Sequence, residues 1–169
     1  MSIAYISAEI GLESDLHTYS GGLGVLAGDH IKSAADAGVD LVAVTLLYRQ
    51  GYGIQHLDER GIQTESYRDI DPSHHLEDTG IEISLPLDGT QLYSRLWKMS
   101  VNGINGSTVD VIFLDTRHEN NPETFANLGE RLYGGDDSIR IRQEYLLGVG
   151  GIHALDALSV DIEGLHLNE

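Results

Sequence analysis

Cysteine is absent from this 169-residue sequence, and lysine occurs only twice, as Lys32 and Lys98. The lack of cysteine excludes disulfide bonds, thiolate metal sites and a cysteine nucleophile. No apolar run is long enough to cross a bilayer. The first ten residues also lack the basic and apolar segments of a signal peptide. We therefore expect a cytoplasmic protein without a membrane partner.

Positive charge is scarce as well. Ten Lys and Arg residues face 27 Asp and Glu residues, which gives a formal net charge of −17. A surface of this sign repels nucleic-acid phosphates and anionic lipids, so neither is an expected partner. Many carboxylates with few lysines are typical of proteins adapted to concentrated salt, where screening weakens self-repulsion. An ordinary acidic bacterial protein is the alternative interpretation.

The order of apolar runs and glycine-rich turns predicts an α/β fold. Short apolar runs at residues 3–7 and 41–47 indicate two buried strands. A helix is expected between them, starting near Val25 and stopping at Gly38. The strand, glycine loop, helix and strand together predict a βαβ unit. The buried face of the helix is expected to carry Leu26, Ile31, Ala34 and Ala35.

The rest of the chain is expected to continue this sheet after an insertion. Residues 51–115 contain short alternating segments separated by Asp-Gly and Asn-Gly turns, which predict a β-rich insertion of hairpins. Helices are expected at 122–132 and 138–158, and a strand at 164–167. Binding sites of doubly wound sheets lie beyond the carboxyl ends of their strands. We therefore expect a part of a longer chain that stops where a functional loop would begin.

A glycine-rich segment at residues 20–30 is the most informative part of the sequence. Paired glycines between a strand and a helix allow backbone N–H groups to face one ligand, and the helix N-terminus adds partial positive charge. A phosphate or sugar-hydroxyl site is one interpretation, and a tight turn with close helix–strand packing is the other. The segment lacks the Gly-Lys-Ser/Thr of a P-loop and fits the dinucleotide-binding pattern poorly.

Six segments in order along the chain closely resemble the α-glucan (glycogen, starch and maltodextrin) phosphorylases. They are residues 5–12, 19–30, 47–52, 132–136, 139–144 and 166–169. The resemblance is to the short bacterial and archaeal branch, because the chain begins almost at the first strand. It implies that residues 1–169, with 51–115 inserted, form a partial N-terminal Rossmann-like domain. The complete protein would be a two-domain GT-B type glycosyltransferase whose C-terminal cofactor domain is absent here.

The family resemblance implies phosphorolysis of α-1,4-glucans by inorganic phosphate, with release of α-glucose 1-phosphate. It also implies a homodimer and pyridoxal phosphate as the cofactor of the full-length enzyme, where the cofactor phosphate acts as a general acid. The Schiff-base lysine of the family lies in the C-terminal domain, and neither Lys32 nor Lys98 matches its motif. We therefore expect this chain alone to be inactive and to hold no cofactor.

Seven positions match the family's substrate- and phosphate-binding residues: Glu9, Gly21, Gly22, Leu23, Asp136, Asp137 and Asn168. The resemblance implies that the glycine loop contacts phosphate and the glucosyl unit, with Glu9 as an acidic neighbour. It implies that Asp136 and Asp137 belong to a loop that closes over the sugar. The family usually has Asp-Asn at that pair, so Asp137 departs from the pattern. Asn168 belongs to a segment that precedes a sugar-contacting histidine.

Two other functions fit the same residues. A non-catalytic carbohydrate-binding module would keep the sugar contacts without the chemistry. A sugar-nucleotide-dependent glucan synthase shares the Gly-Gly-Leu-Gly pattern, although such enzymes usually carry a lysine before it. This chain has Thr18, Tyr19 and Ser20 at that place, which favours the phosphorylase.

The remaining polar candidates have weaker patterns. His74 and His75 are adjacent in a polar segment without a carboxylate at ligand spacing, so no metal site is expected. His30 is expected to pack against the sheet. Asp115 ends an apolar strand, where it could line a cleft or cap a turn. Surface positions are expected for His17, His56, His118 and His153, and a sugar platform or core packing for Tyr48, Arg49 and Tyr52.

Overall fold

The computed structural model describes residues 2–168, so Met1 and Glu169, the last residue of the final family segment, lie outside the described residues. The first half of the chain forms β1 (Ser2–Ser7), α1 (Gly22–Ala37), β2 (Leu41–Leu46), β3 (Ile54–Leu57), β4 (Gln63–Ser66) and β5 (Glu77–Leu87). The second half forms β6 (Thr90–Asn102), β7 (Thr108–Asp115), α2 (Glu123–Ala126), α3 (Asp137–Tyr145), α4 (Gly151–Ala157) and β8 (Ile162–Asn168). Short 3-10 turns cover Pro72–His74 and Asn127–Gly129, and a π-helical turn over Leu146–Gly150 joins α3 to α4.

Six strands form one mixed sheet in the order β5-β6-β7-β2-β1-β8. The four strands β7, β2, β1 and β8 are parallel to one another. The β5–β6 hairpin adds two strands by antiparallel pairing with β7. The predicted α/β class and the βαβ unit from β1 to β2 are confirmed.

The segment predicted as an insertion divides into three parts. The β3–β4 hairpin forms a separate two-stranded sheet, whereas the β5–β6 hairpin extends the main sheet. The strand β7 differs most from the expectation, because it pairs in parallel with β2 from Val42–Asp110 to Leu46–Leu114. It is a central strand, buried on both faces, which explains its continuous apolar run. The segment inserted between the parallel strands β2 and β7 therefore ends at residue 107 and not at residue 115.

Alternate residues of the central strands pack against different layers. Tyr5, Ala43 and Phe113 share one apolar cluster with the buried residues of α1. Ile6, Val44 and Leu114 share the other cluster with the π-helical turn and α4. The sheet thus lies between two helical layers, and its four parallel strands end at a common edge. No helix within residues 2–168 is long and apolar enough to cross a membrane.

The helices follow the predicted order with two corrections. The expected helix at 122–132 is reduced to α2 and the 3-10 turn after it, which together end at Gly129. The expected helix at 138–158 is present as α3, the π-helical turn and α4 in direct succession. In α1, the assignment of Leu26 to the buried face is wrong, since it is 59% exposed. Gly38 ends α1 in the left-handed conformation, as predicted.

Candidate functional site

An open cleft lies beside the carboxyl ends of β1, β2 and β8 and the start of α3. It consists of two hollows of about 160 and 330 Å³. Both are lined by Ala8, Tyr133, Arg140, Glu144 and Leu147. Four of the seven residues predicted from the sequence also line the cleft: Leu23, Asp136, Asp137 and Asn168. The fold thus brings together residues from both ends of the chain at the edge where α/β sheets bind ligands.

Glu9 follows β1 and organises the start of the glycine loop. Its side chain is buried, and its Oε2 accepts hydrogen bonds from the backbone N–H groups of Ser20 at 2.7 Å and Gly21 at 3.3 Å. The Ser20 hydroxyl donates to Oε1 at 3.3 Å. The sequence predicts a ligand-facing Gly21 amide, but in the structure this amide donates to Glu9. The buried Glu9 carboxylate therefore stabilises the start of the glycine loop.

The next residues of the loop form the first turn of α1. A Cβ added at Gly21 or Gly22 would meet nothing within 4 Å, and both residues are exposed. Leu23 lines the cleft. The helix has no side-chain cap and no acidic residue in its first turn. The N–H groups of this turn can therefore interact with an anion in front of them.

Gly24 and Gly28, in the same segment, lie where the neighbouring chain leaves no room for a side chain. A Cβ at Gly28 would overlap the carbonyl oxygen of Gly11 and lie 2.8 Å from its carbonyl carbon. A Cβ at Gly24 would overlap the Cβ of Tyr19 and lie 3.0 Å from Oε2 of Glu9. These two glycines are required for close packing, so the packing interpretation of the segment holds for Gly24 and Gly28.

The acidic loop before α3 forms the opposite side of the cleft. Asp136 is the N-cap of α3, and its Oδ1 accepts hydrogen bonds from the N–H groups of Ser138 at 3.0 Å and Ile139 at 3.1 Å. Asp137 begins the helix and adds a second carboxylate to the cleft. Asp136 therefore has a structural task besides its place in the cleft.

Three cleft residues have no role assigned by the sequence: Tyr133, Arg140 and Glu144. The Tyr133 hydroxyl donates to Oε1 of Glu9. Arg140 Nε lies 3.2 Å from Glu144 Oε1, one helical turn away, and its guanidinium is 5.8 Å from the Tyr133 ring centre. All three residues lie within the segments that resemble the family. The i, i+4 spacing of Arg140 and Glu144 is typical of an ion pair on a helix, but it does not indicate that the pair faces the cleft.

Several known proteins similar to this chain are named as phosphorylases. Glycogen phosphorylase of Mycobacterium tuberculosis is 41% identical over 181 residues, and maltodextrin phosphorylase of Thermococcus litoralis is 36% identical over 178 residues. Glycogen phosphorylase of Aquifex aeolicus is 34% identical over 178 residues. Each alignment covers 99% of this chain. The resemblance to the α-glucan phosphorylases is confirmed.

These phosphorylases are much longer than the chain. The alignments cover 20% of the Mycobacterium and Thermococcus proteins and 24% of the Aquifex protein. The chain therefore spans about a fifth to a quarter of the relatives it matches. No family model matches the chain.

One wall of the cleft is acidic. Among the described residues that line it, Asp136, Asp137 and Glu144 are acidic and only Arg140 is cationic. Burial raises the pKa of the Tyr48 hydroxyl, and the negative charge of Glu9 adds to this shift, so Tyr48 stays neutral. Carboxylates and neutral hydroxyls suit hydrogen bonds with an uncharged polyol, whereas a phosphate needs N–H groups or further cations.

Asn168 connects two strand ends at the cleft. It lies in the final phosphorylase segment, at the end of β8, and its Nδ2 donates to Oγ of Ser7 at 3.1 Å. The Ser7 hydroxyl in turn donates to the backbone oxygen of Glu9 at 2.7 Å. The carboxyl end of β8 is thereby tied to the segment that carries Glu9.

Asp115 does not line the cleft. It is fully buried and accepts hydrogen bonds from Arg49 Nη2 at 2.7 Å, Trp97 Nε1 at 3.1 Å and the Arg117 amide at 3.0 Å. This network satisfies a buried carboxylate, so the turn interpretation of Asp115 is the better one. Tyr48 lines the cleft, whereas Arg49 and Tyr52 are not among its lining residues.

The histidines have mostly structural surroundings. Within residues 2–168, no group of three or more metal-ligating side chains is placed to hold a metal ion. His75 Nδ1 lies 3.2 Å from Oε2 of Glu13, and the His30 ring stacks on Tyr5 at 4.9 Å. The predicted surface position of His118 is wrong, because it is 4% exposed and stacks on Tyr93 at 5.3 Å.

Proposed function

We propose that this chain is the N-terminal part of an α-glucan phosphorylase, which releases α-glucose 1-phosphate from α-1,4-glucans. The observation that carries the proposal is 34–41% identity to glycogen and maltodextrin phosphorylases along 99% of the chain. The parallel core of the sheet supports a partial Rossmann-like domain of a two-domain GT-B glycosyltransferase. The same proposal describes the complete enzyme as a cytoplasmic homodimer.

The chain would supply one wall of the active site. In phosphorolysis an oxygen of inorganic phosphate bonds to the anomeric carbon while the glycosidic C–O bond breaks, and the released sugar hydroxyl takes a proton. The carboxylates of Asp137 and Glu144 and the amide of Asn168 can hold sugar hydroxyls, as they line the cleft. The N–H groups at Gly22 and Leu23 can approach phosphate, because α1 has no cap of its own.

The residues of this chain do not fit covalent binding of pyridoxal phosphate, the cofactor that phosphorylase relatives imply. On β6, Lys98 has its Nζ 3.1 Å from Oε2 of Glu77, and Lys32 is exposed on α1. Neither lysine is among the described residues that line the cleft. A site split over two domains also loses the positioning on which much of the rate depends. The chain alone should therefore be inactive and keep no cofactor after borohydride reduction.

The proposal is tested by titrating the chain with two glucans in an amide NMR experiment. Maltoheptaose, which is α-1,4-linked, should shift the amide signals of Leu23, Tyr133, Arg140 and Asn168. Cellohexaose, a β-1,4-linked glucan of similar length, should leave them in place because its linkage presents the sugar hydroxyls in a different arrangement. Equal shifts with both sugars, or no shift with maltoheptaose at millimolar concentration, would contradict the proposal.

A further inference from the structure

Tyr133 has a backbone conformation that is uncommon for a bulky residue. Its φ is 57°, in the left-handed region, although the glycines that adopt this region most readily follow it at positions 134 and 135. An aromatic residue in this conformation carries backbone strain, which persists only where other contacts hold it. The contacts of the Tyr133 side chain should therefore explain why the strain is kept.

The Tyr133 hydroxyl contacts a distant part of the chain. It donates to Oε1 of Glu9, which lies 124 residues away in sequence. The other oxygen of the same carboxylate holds the amides of Ser20 and Gly21. A single buried carboxylate thus joins the loop that contains Tyr133 to the start of the glycine loop.

The same carboxylate also contacts the helix that follows the glycine loop. The Cβ position of Gly24 is only 3.0 Å from Oε2 of Glu9, so α1 packs directly on it. The Tyr133 ring lines both hollows of the cleft while its hydroxyl is bound to Glu9. Movement of Tyr133 would therefore change both the shape of the cleft and the support of the glycine loop.

We infer that Tyr133 is a positioning residue, which sets the distance between the acidic loop and the glycine loop through Glu9. The coupling between the two loops is a property of the chain itself. Only the identity of the ligand that benefits from it rests on the proposed function. Loss of the hydroxyl removes a contact that fixes the Glu9 side chain, so its carboxylate can move away from the amides of Ser20 and Gly21.

The test is amide hydrogen exchange, measured by NMR, for the wild type, Tyr133→Phe and Tyr145→Phe. The control variant also removes one tyrosine hydroxyl bond, to the backbone oxygen of Pro86 at 3.0 Å, outside the cleft. In Tyr133→Phe, the Ser20 and Gly21 amides should exchange about tenfold faster, the effect of losing one hydrogen bond to a charged group. In Tyr145→Phe these two amides should keep the wild-type rate.

A second variant separates positioning from general stabilisation. Glu9→Gln should also speed exchange at Ser20 and Gly21, and its effect should spread in the reverse direction to the Gly134 amide. The double variant should exchange no faster at Ser20 and Gly21 than Glu9→Gln, because both changes break the same chain of contacts. If Tyr133→Phe does not fold, the reverse effect of Glu9→Gln on Gly134 still tests the inference.

Two results would overturn the inference. One is an unchanged exchange rate at Ser20 and Gly21 in folded Tyr133→Phe, and the other is strict additivity in the double variant. The exchange measurement uses no ligand, so it is independent of the glucan titration. Coupled loops without maltoheptaose binding would reject the proposed function alone, whereas glucan binding without coupled loops would reject the inference alone.

Discussion

Gly21 and Gly22 differ from Gly24 and Gly28, although all four lie in one short segment. A Cβ would meet open space at the first pair, whereas at the second pair it would meet Tyr19 and Glu9 or the backbone of Gly11. The second pair is glycine because the neighbouring chain leaves no room. Packing does not require glycine at Gly21 and Gly22, because a side chain would fit there.

Open glycines at the start of a helix carry a cost. Gly22 is the first residue of α1, where alanine would reduce the conformational freedom of the unfolded chain without a clash. The sequence keeps glycine next to the cleft-lining Leu23 and thereby gives up helix stability. Close packing explains Gly24 and Gly28, whereas the proposed function would explain Gly22 by the close approach of a ligand to the backbone.

The largest expected effect is that of Gly28→Ala. The new Cβ would overlap the Gly11 carbonyl oxygen, which is backbone and cannot move aside alone. The free energy of unfolding should fall by about 3 kcal/mol, at the upper end of overpacking costs. Urea unfolding followed by circular dichroism measures it, with Gly22→Ala as the matched control. A loss below about 1 kcal/mol would show that α1 can shift away from the loop, and the contrast between the pairs would weaken.

Glu9→Gln should have a smaller effect, and it tests how the Glu9 carboxylate supports the start of the glycine loop at Ser20 and Gly21. The buried Glu9 carboxylate accepts bonds from two backbone amides and two hydroxyls, and a neutral amide in its place has one acceptor oxygen instead of two and no charge. The free energy of unfolding should fall by about 2 kcal/mol, the usual cost of disturbing a hydrogen-bonded buried charge. Urea unfolding provides the measurement. Glu13→Gln, on the exposed surface, is the control and should change stability little.

Local sequence patterns predict much of this fold, and the misassignments concern contacts between distant segments. The apolar runs correctly indicate β1, β2 and β8, since each strand carries its own pattern. The central place of β7 depends on its pairing with β2, which no local pattern contains. Leu26 and His118 are misassigned for the same reason, because Gly11 and Tyr93 decide which face of each segment is covered.

The candidate site shows the same division. The glycine segment indicates a binding loop, and Leu23, Asp136, Asp137 and Asn168 do line one cleft. The sequence does not reveal that Glu9 takes up the Gly21 amide or that Tyr133 supports Glu9. These contacts join residues far apart along the chain, so they become visible only when the fold brings the loops together.

The smallest effect on stability is expected for Gly22→Ala. This variant tests whether Gly22 is kept for the approach of a ligand to the backbone. Alanine fits the helical backbone without a contact, so unfolding should become harder by about 0.5 kcal/mol. If a ligand approaches the first-turn N–H groups, the added methyl group would crowd it, so the maltoheptaose-induced shift at Leu23 should decrease strongly when phosphate is present. Urea unfolding and the NMR titration measure the two effects on one variant.

A more stable variant that binds as well as the wild type would show that Gly22 serves neither packing nor ligand approach, and the argument for a backbone binding loop would fail. A stabilised variant with weakened binding would show instead that helix stability is given up at this position for access to the ligand.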